Sequence, residues 1–201
     1  MFTNNFSSVT IGWVVIATGI AGLLGLTFII LFFTVGQPFG TLNDICIGLT
    51  AILSVVLVWM LYPKYYVQSP LLSQVTFVIA MFGALLVMVG SALAISGLKG
   101  WFLSGLYMAA GNAMIGLWLL GLNYFAMRDN SLPHSLVIFG LISGVILALG
   151  LVTIPGIFRG IDNSQEHELS IFNYIWWASS LGWLVLYPIW CILLGRFLLL
   201  K

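Results

Sequence analysis

One carboxylate in this sequence lies directly between two long apolar stretches. Asp44 separates the charge-free blocks 1–43 and 45–63, and an ionised group at the middle of a bilayer costs about 2.5–3.5 kcal/mol on insertion scales. Such a residue commonly contacts an ion or a substrate, which makes Asp44 a candidate binding residue. The alternative places Asp44 in the first turn of a helix, where the partial positive charge of the helix N-terminus stabilises a carboxylate.

Four aromatic residues near the C-terminus share one face of a predicted helix. Trp176, Trp183, Tyr187 and Trp190 follow one another at spacings of 7, 4 and 3 residues, as residues on one helical face do. Interfacial aromatic belts explain tryptophans at the ends of a span, but Trp183 falls near mid-depth. The face is either a lipid-facing stripe or ordinary packing, or it is a groove for a partner helix or an apolar ligand such as a quinone, carotenoid or lipid tail. Trp183 and Tyr187 are the candidate ligand contacts under the second interpretation.

Asn112 is the deepest amide of the predicted fourth span. Its neighbours Ala109, Ala113 and Gly116 mark a packed face, which favours an interhelical hydrogen bond worth about 0.6 kcal/mol. A ligand contact is the alternative, so Asn112 is also a weak binding candidate.

Metal binding, cofactor binding and catalysis have no recognisable motif. His134 and His167 are predicted on opposite sides of the membrane and neither has a partner at ligand spacing, so we expect no metal and no cofactor. Neither a Gly-x-Ser-x-Gly elbow nor a Gly-rich phosphate loop occurs, and no nucleophile–base pair is visible. Enzymatic activity is therefore not expected. The net charge of +1 without a basic run excludes nucleic-acid binding.

The elements that must position these residues are membrane spans. The chain is 62% hydrophobic and 5% charged, whereas soluble domains are about 45–50% apolar and about 25% charged. A span needs about 20 apolar residues, and because its backbone has no water to bond it must be a helix or part of a closed barrel. The unbroken apolar character rules out the alternating pattern of a barrel strand. We predict an all-α polytopic bundle forming a single transmembrane domain over 1–201, with six transmembrane helices at about 8–34, 43–62, 71–96, 101–126, 134–154 and 171–195.

Small residues and short links predict how the spans pair. Ala17, Ala21 and Gly25 recur at four-residue spacing in the first span, a pattern that lets another helix approach closely. The tight link at 97–100 makes the third and fourth spans an antiparallel hairpin.

Three tyrosines suggest a threefold repeat of helical hairpins. Tyr62, Tyr124 and Tyr187 are 62 and 63 residues apart, and each is followed by a cation. The alternative is that Tyr, Lys and Arg simply prefer the membrane interface, which alone puts them at span ends.

The cation count gives an orientation. Lys64, Arg128, Arg196 and Lys201 fall on the side of the termini, against Lys99 and Arg159 on the other side. Because cytoplasmic loops carry an excess of Lys and Arg, we expect cytoplasmic termini.

Two stretches carry a resemblance to known proteins. The run Phe39-Gly40-Thr41-Leu42-Asn43-Asp44 and the segment from Leu119 to Pro133 resemble small bacterial six-span integral membrane proteins of unknown function. The resemblance implies a six-helix fold and a bacterial inner (plasma) membrane. It implies no activity and no site residues.

Two functions compete. The first is a non-catalytic subunit or scaffold of a membrane complex, because no span carries the two ionisable residues that an ion or proton relay normally needs. The second is a binder or carrier of a small hydrophobic molecule, either one of the apolar ligands above or a vitamin-like substrate. The chain is similar in size and span count to the substrate-binding subunits of vitamin importers, and Ala17 and Ala21 have the spacing of their coupling face. Expected partners are the lipid bilayer and other membrane subunits or an apolar ligand.

Overall fold

A computed structural model describes residues 6–162 and 170–200, excepting the side chains of residues 170–173. The described residues form six long apolar helices and no strand, which confirms the all-α membrane bundle. The first four are α1 Ser8–Val35, α2 Phe39–Tyr66, α3 Pro70–Ser96 and α4 Trp101–Arg128. The fifth, α5, spans His134–Phe158. The sixth, α6, consists of Ser170–Leu181, a π-helical turn Gly182–Leu186, and Tyr187–Leu199. Each helix is long and apolar enough to cross a bilayer, so this is a multi-pass membrane protein.

Local chemistry fixes several helix ends. The Ser7 hydroxyl caps α1 by accepting a hydrogen bond of 3.1 Å from the Thr10 backbone N–H, as serine commonly does. Gly97 ends α3 in the left-handed conformation at φ +67°, which a glycine adopts without steric cost. The chain then enters α4 at Trp101, and α3 and α4 form the predicted antiparallel hairpin.

The start of α2 differs from the prediction. The helix begins at Phe39, directly after Pro38, rather than near residue 43, and no side-chain hydrogen bond caps it. Asp44 is therefore the sixth residue of the helix. At 1.5 Å per residue it lies about 8 Å inside α2, so the first-turn role is wrong.

Two prolines coincide with irregular turns in α5 and α6. Pro155 does not end α5; a 3-10 segment Leu149–Thr153 leads into a last helical turn in which Pro155 takes an early position. In α6 the π-helical turn directly precedes Tyr187-Pro188. Proline cannot donate to the carbonyl four residues before it, and the wider turn occupies that position.

The helices pack in chain order around α4. In its most hydrophobic window α4 is 72% buried, compared with 33–50% in the other spans. It packs against α3, α5 and α6, while α1 closes the bundle between α2 and the second half of α6. The second half of α6 and α1 are therefore in close contact, whereas the first half of α6 packs mainly on α4 and α5.

Glycines make the closest helix contacts. A Cβ atom added at Gly83 would lie 2.5 Å from the Gly111 carbonyl oxygen. A Cβ atom added at Gly116 would lie equally close to the Cβ atom of Leu147 on α5. On α1, the residues that pack closely on α6 are Gly19 and Gly22. The predicted face is only partly correct, since Ala21 and Gly25 are buried and Ala17 is exposed. On α1, being a glycine therefore predicts burial better than lying at a four-residue spacing does.

The three repeat tyrosines are not structurally equivalent. Tyr62 and Tyr124 each lie in the last two turns of their helices, whereas Tyr187 is a fully buried residue in the middle of α6. The interfacial preference of tyrosine explains the first two positions. It does not apply to Tyr187.

Candidate functional site

A small cavity lies between α1, α2, α4 and α6, close to the ends where α2, α4 and α6 begin. An even number of spans puts both chain ends on one side of the bundle, so the cavity is on the opposite side, which we call the distal side. Its volume is about 40 Å³, and a buried water needs at least 10–15 Å³ measured in this way. It therefore has room for roughly three waters or a ligand group of similar size. Its lining includes the polar and aromatic residues Asn43, Asp44, Trp101, Trp176, Trp177, Ser180 and Trp183. We call it the tryptophan cavity.

Asp44 contributes a buried carboxylate to this cavity. The residue is 8% exposed, and among described residues the carboxylate accepts one hydrogen bond, of 3.3 Å from the side-chain amide of Asn43. Asp44 lines a cavity, and its role as a binding residue stays a prediction. Its depth along α2 places it beyond the reach of helix-end stabilisation, which is confined to the first turn.

Three other polar atoms of lining residues have no hydrogen-bond partner within the described part of the chain. They are Asn43 Oδ1 and the indole nitrogens of Trp176 and Trp183, all of them buried. Buried polar atoms without a partner are uncommon in native structures, and each one needs an explanation. Five others lie elsewhere in the described bundle, among them Trp190 Nε1, so it is the clustering of three around one cavity that is distinctive. The two indoles can only donate and the amide oxygen can only accept, so the residues that line the cavity carry both kinds of hydrogen-bonding group.

The indole rings stand at steep angles to one another. The Trp176 ring is 5.5 Å from that of Trp101 at 86°, and 4.9 Å from that of Trp177 at 70°. This edge-to-face geometry is a preferred aromatic arrangement. It builds three walls with different orientations rather than a parallel stack.

Two polar contacts hold the elements that carry these rings. Asp162, from the segment after α5, accepts hydrogen bonds from the backbone N–H groups of Gly100 at 2.8 Å and Leu103 at 3.3 Å. It therefore caps α4 next to Trp101. The Ser179 hydroxyl donates to the Leu147 carbonyl at 3.2 Å, which fixes the first half of α6 against α5 and leaves Trp176 and Trp183 facing α4 and α2.

The predicted aromatic face is buried. Trp176 and Trp183 are 7% and 9% exposed, and Tyr187 and Trp190 are 1% and 0% exposed, so the lipid-facing interpretation is wrong. The face divides in two along the helix. Trp176 and Trp183 line the cavity, whereas Tyr187 and Trp190 stack on each other in the core at 6.3 Å.

Tyr187 and Asn112 therefore lie outside the cavity. The Tyr187 hydroxyl bonds to that of Ser54 on α2 at 2.9 Å, a polar link inside the apolar core. Asn112 is buried, but its amide donates to the Met108 carbonyl of its own helix at 2.9 Å. The predicted interhelical bond is wrong, because an amide four residues after a carbonyl is satisfied locally.

Several lining residues carry no recognisable sequence signal. Trp101 and Trp177 lie near helix ends, where tryptophan is common in any membrane protein. Asn43 precedes Asp44 and has the residue type of a helix cap, so only the early start of α2 at Phe39 identifies it as a lining residue. Gly105, beside Trp176, is one of many packing glycines.

The described residues contain no group of three His, Cys, Asp or Glu side chains suited to a metal. His134 is exposed at the start of α5, and His167, Glu166, Glu168 and Lys201 lie outside the described residues. Cys46 and Cys191 are free thiols. The lining itself offers one carboxylate, one amide and one hydroxyl, and the Ser180 hydroxyl already donates to the Trp177 carbonyl at 2.7 Å. These groups can hold and orient a ligand.

No known protein family, curated protein or solved structure matches this chain. The resemblance to small bacterial six-span proteins therefore stays a prediction, and the site stands on its geometry alone.

Proposed function

We propose that this multi-pass membrane protein binds a small molecule in the tryptophan cavity. The observation that carries the proposal is that three residues lining one cavity carry polar atoms without a partner among the described residues: Asn43 Oδ1, Trp176 Nε1 and Trp183 Nε1. Ligand sites are concave, largely apolar and lined by a few convergent polar groups. The tryptophan cavity has this composition, and the rims formed by Trp101 and Trp177 are 44% and 53% exposed, which gives a ligand access from outside the bundle.

The binder hypothesis is better supported than the subunit hypothesis. The aromatic face of α6, which suggested a groove for a partner helix, is buried within the chain. The glycines of α1, α3 and α4 pack against neighbouring helices of the same chain. Those surfaces are therefore not available to another subunit. A role in a larger complex stays a prediction, and another subunit would have to bind different surfaces of this protein.

The cellular setting belongs to the same proposal. The cation bias and the family resemblance support a bacterial inner membrane with cytoplasmic termini. In that orientation the tryptophan cavity opens toward the extracytoplasmic side.

A pair of matched glycine substitutions tests binding. At both Gly105 and Gly48 an added methyl group would meet its nearest neighbour at 3.4 Å, so both substitutions fit without a clash. Only Gly105 lines the cavity. We expect gently solubilised wild type and Gly48→Ala to retain a co-purifying small molecule in native mass spectrometry. Gly105→Ala should lose most of it, because the methyl group occupies part of the cavity.

A third variant tests the polar atoms. Trp183→Phe keeps an aromatic ring and removes the unpartnered N–H, so it should weaken ligand retention while the protein stays folded. The proposal fails if wild-type protein carries no ligand and takes up none from a lipid and metabolite extract. It also fails if Gly105→Ala and Gly48→Ala retain the same amount.

A further inference from the structure

We infer that the ligand of the tryptophan cavity is a small protonated amine that also carries an oxygen acceptor, as an amino alcohol does. The inference rests on the proposed function, since it names the chemical class bound by the same site. It follows from the charge of Asp44, the aromatic lining, the unpartnered atoms and the volume.

The charge of Asp44 calls for a cation. Its carboxylate is buried and accepts a single hydrogen bond, from the neutral amide of Asn43. The lining contains no Lys, Arg or His. A buried carboxylate keeps its charge only when it is paired and hydrogen-bonded, and otherwise takes up a proton. A protonated amine supplies both the opposite charge and short N–H bonds to the carboxylate.

The lining favours an organic cation over a metal ion. Hard cations such as Ca²⁺ and Mg²⁺ take six or more oxygen ligands, whereas this lining offers side-chain oxygens only from Asp44, Asn43 and Ser180. The remaining surface is largely indole. Tryptophan is the best aromatic partner for an organic cation, and the Trp176 ring stands at 86° and 70° to those of its two neighbours.

The unpartnered atoms distinguish an amine with N–H groups from a quaternary ammonium. Asn43 Oδ1 needs a donor, which a protonated primary amine has and a quaternary ammonium lacks. Trp176 and Trp183 each offer an N–H that needs an acceptor. A hydroxyl or ester oxygen near the amine meets that need.

The volume limits the size of the bound group. A cavity of about 40 Å³ admits about three waters, so a group of about four non-hydrogen atoms, the size of ethanolamine, is close to its upper limit. Such a group belongs either to a free amino alcohol or to the headgroup of phosphatidylethanolamine. Free ethanolamine of this size would bind with a Kd no tighter than about 40 µM, so millimolar titrations are appropriate.

Titration of the full chain in dodecyl maltoside tests the charge. Ethanolamine hydrochloride is the probe, ethylene glycol is its neutral equivalent of similar size, and tetramethylammonium is a cation without N–H donors. Tryptophan fluorescence and thermal unfolding at constant ionic strength report binding. We expect ethanolamine to bind at least tenfold more tightly than either comparison compound.

Two carboxamide variants identify the carboxylate. Asp44→Asn preserves shape and removes the charge, and it should weaken ethanolamine binding about 10- to 100-fold, the range for losing a hydrogen bond to a charged group. Asp129→Asn removes a carboxylate from the other side of the bundle and should leave the affinity for ethanolamine unchanged. Trp183→Phe provides a second test independent of the folding of Asp44→Asn, with a smaller loss of affinity.

A lipid arm separates the two sources. Native mass spectrometry is run on protein from nanodiscs of phosphatidylcholine with or without phosphatidylethanolamine. Retention of phosphatidylethanolamine by wild type and not by Asp44→Asn supports the headgroup as the ligand, whereas binding of free ethanolamine alone supports a soluble amine. Equal binding of ethanolamine and ethylene glycol, or an unchanged Asp44→Asn, overturns the inference while leaving a cavity ligand in place. A cavity that retains water only, with no probe or lipid bound, overturns it as well. If the Gly105→Ala test has also shown no ligand, the proposed function fails with it.

Discussion

The close contact between α3 and α4 predicts that the Gly83→Ala variant is less stable than wild type. A methyl group there would lie 2.5 Å from the Gly111 carbonyl oxygen and 2.6 Å from Met114 Cβ. Ordinary C···O contacts are about 3.3 Å or longer. The backbone oxygen cannot rotate away, so Gly83→Ala must push the two helices apart by about 0.8 Å, the difference from that ordinary contact distance.

The expected cost is a balance of two terms. Replacing glycine by alanine inside a helix gains up to about 1 kcal/mol of helix propensity. Overpacking a well-packed contact costs about 1–3 kcal/mol. The separation also disturbs the contact at Gly90, two turns further along α3. A Cβ atom added there would lie 2.8 Å from the Ser104 carbonyl oxygen, so the two helices are similarly close at this point. With two close contacts affected, the cost should lie in the upper half of the overpacking range, and subtracting the propensity gain leaves a net loss of about 1–2 kcal/mol.

Gly48→Ala is the matched control. The nearest neighbour of its added methyl would be Ser91 Cβ at 3.4 Å, an ordinary contact, so this variant should be as stable as wild type or up to about 1 kcal/mol more stable. Reversible unfolding in dodecyl maltoside micelles with increasing SDS, followed by far-ultraviolet circular dichroism, measures both variants. Equal stability of Gly83→Ala and Gly48→Ala would refute the close backbone contact between α3 and α4.

Three further predictions concern the core and the side of the termini. A double-mutant cycle of Tyr187→Phe with Ser54→Ala should give a coupling of about 0.6 kcal/mol and at most about 1.7 kcal/mol in the same unfolding assay, and no coupling would contradict their hydrogen bond. Partial burial acts to raise the pKa of Asp129, but hydrogen bonds from Ser131 and Gln68 and the charge of Lys64 hold that pKa below its ordinary value. Asp129→Asn should therefore cost less than about 1 kcal/mol at pH 7, because an exposed site is screened, and the difference should vanish as the pH falls below about 3.9 and through the lowered folded-state pKa. Cys191, which is fully buried, should react with a maleimide only after unfolding, and labelling of folded Cys46→Ser protein would contradict its placement.

The sequence alone determined the number and type of the elements. Uninterrupted apolar blocks of 19 or more residues leave the backbone no solution other than helices, and the Gly97 turn required an antiparallel hairpin. The prediction that Asp44 is unusual also followed from sequence, because the cost of a charge beside an apolar run does not depend on the fold.

Tertiary structure decided which residues form the site. Trp183 and Tyr187 are one helical turn apart and share a face, so no pattern in the sequence separates them. Only the position of α2 against α6 puts one in the tryptophan cavity and the other against Ser54. The depth of Asp44 likewise depended on the start of α2 at Phe39. In a bilayer every helix face is apolar, and hydrophobic periodicity therefore cannot show which face is buried; the close contacts of glycines and a few polar side chains decide it.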